Sequence, residues 1–98
     1  MVTDGSSVLG VGDQGSHGIA IPIAKLLLYS ACAGVHPRQT LPVMLDLGTD
    51  NKKLLEDPNY FGMRDQRYSG DLYAEAVDEF MYAMRCRYPN ALIHFEDF

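Results

Sequence analysis

Three groups of residues in this chain of 98 could do chemistry. Lys25 is the only charge in the run Ile19 to Ala33. An amine in such a run either snorkels to water or, if buried, loses hydration and falls towards neutrality, where it can take a proton from an alcohol near neutral pH. Glu96 and Asp97 follow the apolar stretch Ala91 to Phe95. Two carboxylates at the carboxyl end of a strand stand at the edge where open α/β sheets bind ligands, and their hard oxygens suit Mg or Mn. The alternative is a solvated pair at a strand end. Third, Gly10-x-Gly12-x-x-Gly15 has the form of a dinucleotide fingerprint, with Asp46 as the later acid. Asp46 lies beyond the usual spacing of about twenty residues, and Asp13 puts a negative charge where a pyrophosphate would approach. The loop is therefore either a nucleotide cradle or a glycine turn shaping another site. His17, His36 and His94 show no ligand spacing, Lys52-Lys53 reads as a solvated helix face, and no Ser/His/Asp or Cys/His arrangement occurs.

The elements that must position these residues follow from pattern. Val2-Thr3, the Asp4-Gly5 turn and Ser7 to Leu9 read as a hairpin or strand corner. A helix is predicted from near Pro22, whose missing N–H suits a first turn, to a stop at Gly34. Leu41 to Leu47 is a continuous apolar run of the kind buried in a parallel sheet, leaving through Gly48 to Asn51 into a helical turn at Lys52 to Leu55. Tyr60 to Gly70 is polar and reads as a surface excursion, with Asp71 as the cap of the next helix. There Tyr73, Val77, Phe80, Met81, Met84 and Tyr88 recur at helical steps, marking a core face. Pro89-Asn90 ends it, and Ala91 to Phe95 forms a third strand. The expected class is α/β, a parallel sheet of three main strands with two covering helices.

Composition narrows the functions. Hydrophobic residues make up 47% and charged residues 21%, which fits a folded segment rather than a disordered one. A net charge of -5 argues against nucleic acid or an anionic membrane surface as partner. Cys32 and Cys86 show no paired spacing, so neither a disulfide framework nor a cysteine-ligated zinc is expected, and a reducing compartment is the default. Pro22 and Lys25 interrupt the most apolar stretch, Gly18 to Gly34, which is expected to be too short to span a bilayer. Met1 leads directly into Val2-Thr3-Asp4-Gly5 with no basic or apolar leader.

Taken together, the blocks Val2-Thr3-Asp4-Gly5, Leu9 to Gly15, Gly18 to Lys25, Leu41 to Asn51, Asp78-Glu79-Phe80 and Phe95-Glu96-Asp97-Phe98 resemble, in order and spacing, the malic enzymes across the whole chain. The resemblance implies a partial N-terminal substrate and metal domain over residues 1–98, without the cofactor-binding domain. It implies oxidative decarboxylation of L-malate to pyruvate and carbon dioxide with NAD or NADP and Mg or Mn, the nicotinamide being bound mainly by the absent domain. Lys25 would be the catalytic base on the malate hydroxyl, and Glu96 and Asp97 two of three metal ligands. The family's tyrosine acid would lie before Met1 and the third metal carboxylate beyond Phe98. Ser7 stands where many members carry a substrate-binding arginine, and Ala24 replaces a common glycine beside the lysine. A parent homodimer or homotetramer in cytoplasm or mitochondrion is implied, and the isolated chain is expected to be inactive. The competing expectations are a stand-alone dinucleotide-binding module built on Gly10 to Gly15, or a non-catalytic oligomerisation partner.

Overall fold

A computed structural model describes residues 1–98. Its elements are β1 (Val2–Thr3), a 3-10 helix (Gly15–Ile19) running into α1 (Ala20–Ala33), a 3-10 turn (Pro37–Gln39), β2 (Val43–Met44), α2 (Lys52–Glu56) and α3 (Gly70–Arg87). β1 and β2 pair in parallel, Val2 opposite Val43 and Thr3 opposite Met44. The sheet thus has two strands beside three α-helices, which corrects the expectation of three main strands covered by two helices.

The length of β1 explains the difference. Gly5, at φ +71°, turns the chain away after Thr3, so a neighbour can pair over barely two residues. On one side Val43 N–H donates to Met1 O and Leu45 N–H to Thr3 O, both at 2.9 Å. On the other, Val2 N–H donates to His94 O and Glu96 N–H to Val2 O, both at 2.8 Å, leaving Ala91 to Phe95 with a single parallel bridge, Val2 to Phe95. The stretch is extended but has no ladder to become a third strand. The hairpin also fails to form. Thr3 Oγ1 accepts from Gly5 N–H and Asp4 Oδ1 from Ser6 N–H, so side chains close the turn locally. Val8 then bridges back to Gly12 instead of to β1.

α1 begins two residues ahead of Pro22, which still falls in the first turn where an N–H has no helical partner. It ends where expected, with Gly34 left-handed at φ 70° and its N–H on Tyr29 O. By length and composition Gly15–Ala33 would suffice to cross a membrane, contrary to the expectation that the stretch is too short. Here it is seated on the fold by Gly15, Ser16, Gly18, Pro22 and Leu26, which are buried. α3 starts at Gly70 with Ser69 in the capping position, so Asp71 lies in the first turn instead of capping. Its expected core face is only half-covered from Tyr73 to Met84, and Tyr88 is exposed. Phe80, Met84 and Tyr88 face Leu26 and Tyr29 of α1 across an apolar groove of about 710 Å³.

The tightest packing joins the β1 turn to the start of α1. A Cβ added to Gly18 would lie 2.7 Å from Gly5 Cα, and one on Gly5 would lie 2.1 Å from Gly15 O. Replacing Gly5 with Ala should therefore destabilise the intact protein by about 3 kcal/mol or more. Gly10→Ala, also at positive φ but with open space around it, should cost about 1 kcal/mol. Denaturant unfolding of the two variants checks the contrast.

Candidate active site

Lys25 and Glu96 meet. The Lys25 ammonium donates directly to Glu96 Oε1 across 71 residues of sequence. Both partners are set by the same region of the fold. Glu96 hangs from Val2 through its backbone N–H, and Ser7 N–H reaches Asp97 O at 3.3 Å. Asp97 sits at φ 54°, so the chain leaves the extended conformation there and the alternation of side chains along a strand is broken next to Glu96. α1 presents Lys25 one turn beyond Pro22, after Gly18 has set the approach of the helix to Gly5. The Lys25 side chain is 44% exposed and that of Glu96 15%, so of the two alternatives the sequence left open Lys25 takes the one that reaches water, as a half-exposed ion-pairing lysine.

A second constellation, which no local pattern in the sequence marks, is built on Arg67. The Arg67 guanidinium, 9% exposed, donates from Nη2 to Asp13 Oδ1 at 2.8 Å, from Nε to Asp13 Oδ2 at 3.3 Å and from Nη1 to Asp4 O at 2.9 Å. The Asp13 carboxylate also accepts from Gly15 N–H, Thr49 Oγ1 and Asp50 N–H, all within 3.0 Å. Burial works to raise the Asp13 pKa, but the Arg67 hydrogen bonds and the Asp50, Gly15 and Thr49 donors outweigh it and hold the carboxyl below its ordinary range. Asp4 is buried and accepts from the Tyr73 hydroxyl at 2.5 Å. Burial, that hydrogen bond and the Asp4 charge all push the Tyr73 phenol up, with Arg67 opposing. In the sequence Asp13 stands out only as an obstacle to phosphate, and Arg67 only as part of a polar stretch. Their separation of 54 residues leaves no local pattern to find.

The same contacts settle what the glycine loop does. Gly15 N–H is taken by Asp13, Gln14 N–H by Gly5 O, and Val11 and Gly12 N–H by Val8 O. A loop whose donors are used internally, with a carboxylate among them, does not present the N–H array that cradles a pyrophosphate. It is a glycine turn that delivers Asp13 to Arg67. The excursion Tyr60 to Gly70 is likewise more than surface, for Tyr60 is 3% exposed and its hydroxyl accepts from Ser16 N–H at 3.0 Å. His17 packs against the rings of Tyr60 and Phe61, and His36 Nδ1 accepts from Arg38 N–H. Lys52 and Lys53 are exposed, as expected.

Glu96 and Asp97 offer hard oxygen donors, and the Lys25 ammonium already seated on Glu96 shows that this carboxylate accepts a cation. By donor type the two carboxylates suit a divalent ion as part of a coordination sphere. No group of three or more His, Cys, Asp or Glu residues converges in the chain, so further ligands would come from elsewhere.

The site thus consists of a paired lysine and carboxylate with a second acid adjacent in sequence, at the end of an extended segment on a small parallel sheet. Residues 1–98 match the family described as malic enzyme, N-terminal domain, and the chain belongs to that family. It is 58% identical over its whole length to an NAD-dependent malic enzyme of Shewanella loihica, 59% to one of Shewanella frigidimarina and 55% to NAD-dependent malic enzyme 2 of Vibrio vulnificus. It covers 17% of the two Shewanella proteins and 18% of the Vibrio one, so it spans about a sixth of the length of these relatives.

The Asp13 pair makes a prediction with a definite sign. A carboxyl whose pKa is depressed on folding contributes stability above its unfolded value, near 3.8, and loses that contribution as pH falls through the folded value. Asp13→Asn should cost about 3 kcal/mol at pH 7, because it takes from the largely buried Arg67 its hydrogen-bonded charge partner and leaves only Asp4, at 3.7 Å. The difference from the unaltered protein should shrink as the pH is taken below 3.8, as read from denaturant midpoints across a pH series.

Proposed function

We propose that this chain is the lysine- and carboxylate-bearing part of an enzyme that oxidatively decarboxylates L-malate to pyruvate and carbon dioxide with NAD. The observation that carries the reading is the contact of Lys25 with Glu96, two residues distant in sequence and matched to one family's ordered blocks. The relatives' names favour NAD over NADP as the oxidant.

In this reading Lys25 is the base on the substrate hydroxyl. Lys25 Nζ would take the hydroxyl proton as C2 gives up its hydride to NAD and the C–O bond becomes a carbonyl; the C4 carboxylate, β to that carbonyl, would then leave as carbon dioxide, and the resulting enolate of pyruvate would be protonated at C3. For Lys25 to accept a proton it must leave Glu96, and its half-exposed position on α1 gives it room to swing. A divalent cation held by Glu96 and Asp97 would supply Lewis acidity at the hydroxyl and carbonyl oxygen. Glu96 serves this by being fixed at its backbone to Val2, and Asp97 by its carbonyl bond to Ser7.

The test uses a complete enzyme, with these 98 residues set in place of the matching segment of the Shewanella loihica protein. Lys25→Ala should lower NADH formation from malate by at least about a thousandfold, as expected when an essential acid–base group is removed along with its positioning. Turnover within a few fold of the unaltered chimera would refute the assigned role.

A further inference from the structure

We infer that Tyr73 and Arg67 are positioning residues for the Lys25, Glu96 and Asp97 centre, acting through the turn Thr3 to Ser7 that both of them hold. The inference rests on the reading of that centre proposed above. The turn stands where the two halves of the site join. Val2 and Ser7, on its flanks, carry the backbone hydrogen bonds to Glu96 and Asp97, and Gly5 at its middle is the floor on which Gly18 seats the helix bearing Lys25. A shift of this turn therefore moves amine and carboxylates by different amounts, since one is carried on a helix and the others on an extended segment.

What fixes the turn is Asp4. Its side chain is 1% exposed, with Oδ1 on Ser6 N–H at 2.9 Å and Oδ2 receiving the Tyr73 hydroxyl. Arg67 holds the same residue from the other end, with Nη1 on the Asp4 carbonyl and 3.7 Å from Oδ2, while its remaining donors reach Asp13. Tyr73 comes from the first turn of α3 and Arg67 from the segment just before it, so both tie the site to an element that contributes neither Lys25 nor the acidic pair. Neither contacts Lys25, Glu96 or Asp97 by hydrogen bond or ion pair; their effect passes through backbone geometry alone.

Tyr73→Phe and Arg67→Lys, placed in the same full-length chimera, test this. Phenylalanine keeps the ring but removes the hydroxyl from Asp4, and lysine keeps the charge but cannot span Asp4 and Asp13 with a planar fork. For Tyr73→Phe the expectation is a fall in kcat of about tenfold or more, together with weaker Mn²⁺ binding by a similar factor and an altered spectrum of the bound ion in electron paramagnetic resonance, with a thermal midpoint close to that of the unaltered protein. Arg67→Lys should not restore the behaviour of arginine in any of these readouts. Unchanged kcat and unchanged Mn²⁺ binding in Tyr73→Phe would overturn the proposal, whatever the midpoint does. Because Lys25→Ala in the same protein reports on the site itself, a dead Lys25→Ala beside a normal Tyr73→Phe sinks only the positioning role. An active Lys25→Ala sinks the reading beneath it.

Discussion

A guanidinium with 9% of its surface in water needs opposite charge and filled donors close by, and Arg67 finds both in Asp13 and Asp4. The two acids lie on different turns, one before the glycine loop and one inside it, and both are brought to a residue far along the chain. Neither turn has a strand partner of its own beyond β1, so this charge cluster takes the place of the ladder hydrogen bonds that a longer sheet would provide. Asp13 is saturated by its donors, and Asn51 Nδ2 reaches its carbonyl at 2.8 Å. The loop Gly48 to Asn51 is thereby joined to the same point. Arg67 is the one cation shared by both acids, so removing it leaves Asp4 and Asp13 without their common partner, which is why the cluster acts as a unit.

That unit matters to the site because so little else is buried. Only 14 of 98 residues are, among them Val2, Thr3, Asp4 and Gly5 in one unbroken run. The chain's radius of gyration, 14.2 Å, exceeds the roughly 13 Å typical of a compact domain of this length, and large apolar side chains such as Leu9 and Leu92 are about nine-tenths exposed. The rigid part of the molecule is thus the β1 turn with the elements locked to it. Lys25, Glu96 and Asp97 all take their positions from that part, whereas α3 reaches it mainly through Tyr73.

Local signals were legible in the sequence wherever local physics decides the outcome. Gly34 ends α1 in the left-handed conformation that closes such a helix, and the three- and four-residue steps of α3 mark Tyr73, Val77, Phe80, Met81 and Met84, which are half-buried, whereas Tyr88 of the same series is exposed. The candidate site residues stood out by type, a lone lysine in an apolar run and adjacent acids after a strand-like stretch, and the structure brings Lys25 into contact with Glu96. The strands were not. Apolarity in Leu41 to Leu47 and Ala91 to Phe95 reports a tendency to leave water, but a ladder needs a partner of equal length, and β1 stops at Thr3. The Asp13–Arg67 pair was invisible for another reason: each residue sits among polar neighbours that make it look solvated.

The Lys25–Glu96 contact is the least costly of the charge pairs to open. With the lysine side chain 44% in water, such a pair contributes no more than about 1 kcal/mol to the fold. Arg67 with Asp13 is the opposite case, buried and multiply bonded. In the proposed reading, stability and function fall to different ion pairs: one largely closed off from water and fixed, the other near the surface and free to exchange partners. A proton acceptor must change partners in every turnover, so the residue suited to that work is the one whose departure leaves the turn, the strand and the acidic cluster standing. Lys25 meets that condition on geometry, because none of the hydrogen bonds that hold Val2, Asp4 or Asp13 passes through it.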